Sequence, residues 1–392
     1  MSSLTDRLAP LLLGLAAAAC SMDPPTTPPP SWVDPGTPDQ FLGYDLMPEL
    51  EIQIAAADIT KLDAHPDVYV PATLIYQGGS YGPVGLKLKG QNSFLPFSQK
   101  ASLRINVNEY DPAASFWGLK DLTLNNMSSD PSMMHERLAY KVARDAGLTA
   151  SRANHLLLSV NGQFYGLYAN VETVKHRMIK DHFDDGGGSL FEATDVDFQP
   201  QFIGAYKLKD GPDDRTRIAG LVQALAMPDT EQALAAASEF VDLHHFQRYW
   251  AMETIIGQFD AFPYSVPGDD YYLYDDPTSG KLWFIPWGMD ETFISGQFPP
   301  MQINSQLAVR CLGSATCKQA YVDQVWELLA MTEAMGLEGE RARVQAQIAP
   351  YIARDTRKPY DMAAVTEGQT QLGYFIRGRR ELLGMMLPPP SP

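Results

Sequence analysis

The stretch His155-Leu156-Leu157-Leu158-Ser159-Val160-Asn161-Gly162-Gln163-Phe164-Tyr165-Gly166-Leu167-Tyr168-Ala169-Asn170-Val171 decides how this chain is read. It is apolar through Val160, and Asn161-Gly162 is the dipeptide that accepts positive φ at both central positions of a two-residue turn. Gln163 to Val171 then returns, so the stretch predicts a β-hairpin. Upstream, Leu50 to Val107 has the period of strands. Leu86, Leu88, Leu103, Ile105 and Val107 alternate with polar neighbours, while Gly78-Gly79, Gly82-Pro83 and Gly90 punctuate them as turns. Gly79, Gly82 and Gly85 match no nucleotide-binding glycine pattern, and Pro83 among them suits a hairpin turn. Between these regions Asp130-Pro131 serves as the cap and first position of a helix that runs to Gly147.

Downstream of the hairpin, strand signals resume at Leu190-Phe191 and at Ala205 to Leu208. Arg215 to Phe259 is helical, with a break at Pro228 and Asp242 capping a run through Phe246, Trp250, Ile255 and Ile256. His244 and His245 in the first turn of that run suit packing or surface positions better than a metal. Two further strands, Tyr271 to Tyr274 and Leu282 to Trp287, are joined by a turn from Asp275 to Gly280. Beyond Val322 three helices follow: one to Ala334, then Gln345 to Arg354 and Gln369 to Met386. A β-rich N-terminal part and a helical C-terminal part make one α+β unit.

The first 20 residues carry Arg7, an apolar run from Leu8 to Ala19, and then Cys20 after Ala17-Ala18-Ala19. That is an export signal, and small residues ahead of a cysteine make Cys20 the candidate for a lipidated first residue. Plain secretion and an ordinary buried cysteine are the alternatives. Ser21 in place of Asp favours the outer membrane of a Gram-negative cell. Residues 21–42 are rich in proline and predict an extended tether, and 43–388 the folded domain. Cys311 and Cys317 have the spacing of a small disulfide loop in an oxidising compartment, against two free thiols. With 30 Lys and Arg against 47 Asp and Glu, the formal charge of -17 repels nucleic acid and an anionic leaflet alike. Membrane contact is therefore expected through a lipid anchor only. No Gly-x-Ser-x-Gly elbow is present, and His135, His155 and His176 lack spaced partners, which argues against a hydrolase.

Four segments taken together resemble the spore-coat protein H (CotH) kinase family. They are Leu86-Lys87-Leu88-Lys89-Gly90-Gln91-Asn92-Ser93 with Gln99-Lys100-Ala101-Ser102-Leu103-Arg104-Ile105; His135-Glu136-Arg137-Leu138-Ala139-Tyr140 through the hairpin to Glu172; Tyr206-Lys207-Leu208-Lys209-Asp210; and Asp260 through Asp270-Tyr271-Tyr272-Leu273-Tyr274 to Phe284-Ile285-Pro286-Trp287-Gly288-Met289-Asp290. The resemblance implies a divergent protein-kinase-like fold and an ATP- and Mg²⁺- (or Mn²⁺-) dependent kinase that phosphorylates Ser or Thr of extracytoplasmic proteins.

It also implies site residues. Phosphoryl transfer needs an acid–base group at the attacking hydroxyl, carboxylates on the metal and a cation at the phosphates. Asp260 takes the position of the catalytic base. Where the family has Asp-x-Asp after Pro-Trp this chain has Gly288-Met289-Asp290, so Asp290, two residues along an extended segment and on the same face, is the substitute metal ligand. Asp270 stands where the family has Asn and is the second metal candidate. Asp269 and Glu291 are further oxygen donors nearby. Lys209, Lys100 and Lys89 are the phosphate-side cations, with Lys207 a further possibility and Glu172 a partner for one of them. The alternative function is a pseudokinase, a binding or structural scaffold at the cell surface, which Gly288 and Asp270 favour.

Overall fold

Alternation of apolar and polar side chains builds the N-terminal half. The computed structural model describes residues 36–90, 93–258, 260–294 and 299–391. Strands β1 (Glu49–Gln53), β2 (Val70–Tyr76), β3 (Gly79–Lys89), β4 (Ser102–Asn106), β5 (Asp121–Asn125), β6 (Ala153–Val160) and β7 (Gln163–Val171) close into a barrel in the order β1-β2-β3-β4-β5-β7-β6. Neighbours are antiparallel except β1 and β6, whose parallel pairing closes the barrel. Leu86, Leu88, Leu103 and Ile105 point inward and are fully buried, so Lys87, Lys89 and Arg104 face outward.

The hairpin forms as the sequence predicts. Asn161 and Gly162 have φ of +48° and +77°. Asn161 is also tied to the chain beyond β1, for its Oδ1 accepts from Ile54 N and its Nδ2 donates to Ile54 O, both at 2.9 Å. An amide side chain supplies both roles at once, on two adjacent atoms. The other tight turn is at Gln77-Gly78, with φ of +48° and +79°, and not at Gly82-Pro83, which lies inside β3 opposite a register shift in β2.

The second half is a four-stranded antiparallel sheet surrounded by helices. Strands β8 (Ser189–Ala193), β9 (Lys207–Asp210), β10 (Tyr271–Asp276) and β11 (Lys281–Pro286) have the order β11-β10-β8-β9. Among the described residues the helices are α1 (Asp39–Leu42) and α2 (Ala56–Ala64), which pack on the barrel, and α3 (His135–Asp145), α4 (His176–His182), α5 (Thr216–Leu225), α6 (Thr230–Ala237), α7 (Leu243–Ile256), α8 (Gln306–Gly313), α9 (Ala315–Ala334), α10 (Leu337–Arg354) and α11 (Met362–Met386). The central one, α7, is capped by the Asp242 carboxylate on His245 N at 3.0 Å and ends at Gly257 in the left-handed conformation. Its last carbonyls are satisfied by a side chain from α11: Arg379 donates to Ile255 O at 3.0 Å and to Thr254 O. Cys311 and Cys317 are joined in a disulfide linking α8 to α9, and Gln247 Nε2 of α7 donates to Cys317 O at 3.2 Å. His245 packs on Trp283 with its Nε2 at 3.3 Å from Phe284 O, a packing role.

Several expectations are corrected. The tether does not stay extended to residue 42, because Asp39–Leu42 is a helical turn whose Phe41 is buried edge-on against Phe116 and Tyr76. The helix expected from Pro131 starts at His135, since Met133 has φ of +61° and interrupts it; Asp130 still caps from a distance, accepting from His135 N at 2.7 Å. Helices α10 and α11 begin 8 and 7 residues earlier than their apolar periodicity implied. Their starts are set locally, by the left-handed Gly336 and by the Asp361 carboxylate on Ala364 N at 2.8 Å. Helices α2, α4 and α8 were not foreseen, and α9 begins at Ala315, before the expected Val322. Among the described residues no helix is long and apolar enough to cross a membrane. Cys20, the leader and the proline tract through Pro35 lie outside the described residues.

Candidate active site

One wall of the site is the outer face of the barrel. Lys87 pairs in register with Arg104, and Lys89 with Ser102, so these residues form a polar layer over β3 and β4. Lys89 Nζ donates to Asn125 Oδ1 at 2.5 Å, and Asn125 Nδ2 donates to Glu136 Oε1, also at 2.5 Å. The ammonium of β3 and the carboxylate of α3 are thus linked through one amide from β5. Burial lowers the Lys89 pKa against the pull of Glu136, Asp290 and Asp270. Burial, with the Asp290 charge beside it, pushes Glu136 up to about 8 despite Lys89. Its Oε2 is buried without a partner among the described residues. Arg104 is held by Asp121 at 3.1 Å, and Lys87 lies over the Tyr69 ring.

The facing wall is acidic. Asp260 follows α7 in an exposed position, Asp269 and Asp270 precede β10, Gly288, Asp290 and Glu291 follow β11, and Glu192 comes from β8. These carboxylates, Lys87, Lys89, Arg104, Asn125 and Glu136 line one cleft of about 380 Å³. Gly288 has φ of +59° and leads into a 3₁₀ turn, Met289–Glu291. The segment is therefore not extended, and the same-face expectation for residues 288 and 290 fails; the turn brings Asp290 to the cleft instead. His135 Nδ1 lies 2.9 Å from Asp290 O, and its Nε2 lies 3.3 Å from Asp130, which fixes the loop to the start of α3. Gln258 Nε2 donates to Gly288 O at 2.7 Å from the other side. Burial and like charges raise the pKa values of Asp269, Asp270, Asp290 and Glu291.

Among the described residues no three His, Cys, Asp or Glu side chains converge to hold a metal on their own. The donor set still fits Mg²⁺, which takes one or two protein carboxylates and completes its shell with phosphate and water. A family model described as "CotH kinase protein" matches residues 86–383.

The chain belongs to the CotH kinase family.

Similar proteins include the inner spore coat protein H of Bacillus subtilis, 21% identical over 71% of this chain and 81% of that protein. The invasin CotH7 of Rhizopus delemar is 22% identical over 43% of this chain, which spans 30% of that longer protein. A solved structure of the Helicobacter pylori proinflammatory kinase CtkA aligns over 79% of this chain and 90% of that one, with 11% identity and a TM-score of 0.27.

Within this member of the CotH kinase family, Asp260, Asp270, Asp290 and Lys89 share the cleft. Lys209 does not line it; it is held in an ion pair at 2.9 Å with Glu192, which does, and Tyr272 OH donates to the same carboxylate at 3.1 Å. Lys207 is more exposed, 3.7 Å from Glu192. Lys100 is elsewhere. It is fully buried against Asp355 at 2.7 Å, joining the segment before β4 to the end of α10, so it does not line the cleft. Glu172 pairs with Arg152, and among the described residues with none of the lysines. The sequence reading assigned no role to Glu136 and Asn125. Glu136 stood in the quoted motif beside His135, and an acidic residue in the first turn of an otherwise apolar helix face was its signal.

Proposed function

We propose that this CotH kinase transfers the γ-phosphoryl group of ATP to a Ser or Thr hydroxyl of an extracytoplasmic protein. The observation that carries the reading is that Asp260 and Asp290 line the same cleft as Lys89. Asp260, exposed at the mouth, accepts the proton of the acceptor hydroxyl. That oxygen bonds to the γ-phosphorus as the bond from phosphorus to the β,γ-bridging oxygen breaks, and ADP departs with the electron pair. Lys89, held by Asn125, meets the phosphate oxygens. Asp290 and Asp270 are the carboxylates that would hold Mg²⁺ or Mn²⁺, and the metal supplies charge neutralisation on the phosphates. Lys209 serves the phosphates only after leaving Glu192.

The names of the relatives, a spore coat protein and an invasin, support an exported protein of the cell envelope. Cys20 would tether it through lipid, with residues beyond it as spacer. The scaffold reading draws on Gly288, which offers no carboxylate. The deciding experiment incubates the full chain with γ-labelled ATP and Mg²⁺ or Mn²⁺, beside Asp260→Asn and Asp290→Asn. Transfer by the wild type and its loss in both variants is expected. No transfer, with no rise in melting temperature on adding ATP, overturns the proposal and leaves the cell-surface scaffold.

A further inference from the structure

Arg379 of α11 is a cation kept out of water. Its side chain is 4% exposed, and burial lowers its pKa to about 10. Nε and Nη2 are used on the last carbonyls of α7, Ile255 O and Thr254 O. Among the described residues no carboxylate forms an ion pair with it, and Nη1 has no acceptor. A buried charge without a counter-charge is destabilising until an anion meets it.

The guanidinium lines a second cavity, of about 250 Å³, between α7, α9, α10 and α11, which shares no residue with the cleft described above. The start of α10 forms another side of it. Gly336 occupies the N-cap and offers no side-chain acceptor, and the amides of Leu337, Glu338 and Gly339 have no partner among the described residues. A helix of 18 residues therefore places free N–H groups and the positive end of its dipole at the cavity that Arg379 enters. Much of the remaining wall is apolar, from Ile255, Phe293, Leu337 and Phe375, with the Phe375 ring 4.5 Å from the guanidinium. Two carboxylates also line the cavity, and both are already paired. Glu338 accepts from Arg341 at 2.8 Å and from Arg377 at 2.6 Å, and Glu333 accepts from Arg380 at 2.6 and 2.7 Å. Arg341, Arg377, Arg379 and Arg380 thus stand against Glu333 and Glu338, and the surroundings are cationic in a chain of net charge -17.

We infer that this cavity is a binding site for a small monocarboxylate with an apolar body, an aryl or short alkyl acid, whose carboxylate meets Arg379 Nη1 and the amides at the start of α10 while its body lies against Phe375 and Ile255. One negative charge matches Arg379, the buried guanidinium of the cavity without a counter-charge. The volume of about 250 Å³ lies below the roughly 300–1,000 Å³ of ordinary ligand pockets, so it admits one ring or a short chain and not a nucleotide. The inference does not depend on the phosphotransferase reading.

The test is calorimetric titration of the full chain with sodium phenylacetate, beside phenylacetamide as the uncharged probe and inorganic phosphate as the probe without an apolar body. The wild type is expected to bind phenylacetate saturably in the millimolar range, to bind neither of the others comparably, and to keep its phenylacetate in excess Mn²⁺-ATP. Arg379→Lys retains the charge but loses the planar fork, and is expected to weaken binding about tenfold. Because that change also disturbs the end of α7, Gly339→Trp is the second variant. A Cβ at 339 meets nothing within 4 Å, so the indole is added without a clash at its root and fills the cavity. This variant is expected to melt with the wild type and to lose phenylacetate binding. No saturable binding of phenylacetate, equal binding of phenylacetamide or phosphate, displacement by Mn²⁺-ATP, or undiminished binding in Gly339→Trp each overturns the inference.

Discussion

Replacing Lys100 with methionine separates a structural lysine from a catalytic one. Lys100 Nζ is 2.7 Å from Asp355 Oδ2, with both side chains wholly inaccessible. Asp355 also accepts from Leu167 N at 3.0 Å and from Arg357 N at 2.9 Å. The variant leaves those two backbone donors but strands a buried carboxylate without its counter-charge, at a cost of about 3–5 kcal/mol. With an unfolding entropy of about 2.1 cal/mol/K per residue over roughly 350 folded residues, that corresponds to a fall of about 4–7 °C in Tm. The double variant Lys100→Met with Asp355→Leu is expected to recover part of the loss, since removing both partners leaves no orphan. Circular dichroism melts give the stabilities, and the ATP-induced shift in Tm reports binding. Lys100→Met is expected to melt early and retain its ATP shift; Lys89→Met is expected to lose the shift with a smaller change in melting. A Lys100→Met variant that melts with the wild type but no longer responds to ATP would refute this division of roles.

Acid should expose His155. Burial and the nearby Arg137 lower its pKa to about 3; Arg137 Nη1 donates to its Nδ1 at 3.0 Å, and its Nε2 donates to Met133 O at 2.7 Å. Because the unfolded value is about 6.5, the unfolded chain takes up this proton first as pH falls. The contribution of His155 to stability is full above pH 6.5 and is lost as pH falls through about 3, in total roughly 3–5 kcal/mol. Tm is expected to fall more steeply between pH 6.5 and 4 in the wild type than in His155→Gln, and parallel slopes would count against it. Replacing Cys311 and Cys317 with serine opens a loop with a sequence separation of 6 and should cost about 2 kcal/mol by chain entropy. The difference from wild type should vanish in reducing buffer; equal melting of oxidised and reduced wild type would contradict it.

What the sequence made legible was local. Asn161-Gly162 announced its turn because both residues accept positive φ, and Asp242 announced α7 because a cap needs only the next three residues. The outward lysines of β3 followed from strand alternation. Lys100 was misjudged because its partner Asp355 is 255 residues away, and no local pattern distinguishes a buried ion pair from a cation in a cleft. The role of Glu136 was missed for a similar reason: Asn125, which links it to Lys89, belongs to another strand. At Gly288 the absence of a carboxylate was visible in the sequence. The turn that brings Asp290 to the cleft was not, because it depends on the left-handed backbone of Gly288 where an extended segment was expected.

The parallel pair that closes the barrel imposes an order on how the chain is made. Strands β1 to β5 form a meander that pairs as it is synthesised, but the free edge of β1 must wait for Leu157 to Val160 of β6. A chain emerging from its N-terminus therefore exposes two open sheet edges until the β6–β7 hairpin arrives and plugs both at once. The late hairpin acts as the keystone of the barrel, and a pause in translation before it would lengthen the interval in which the nascent meander can pair with the wrong neighbour.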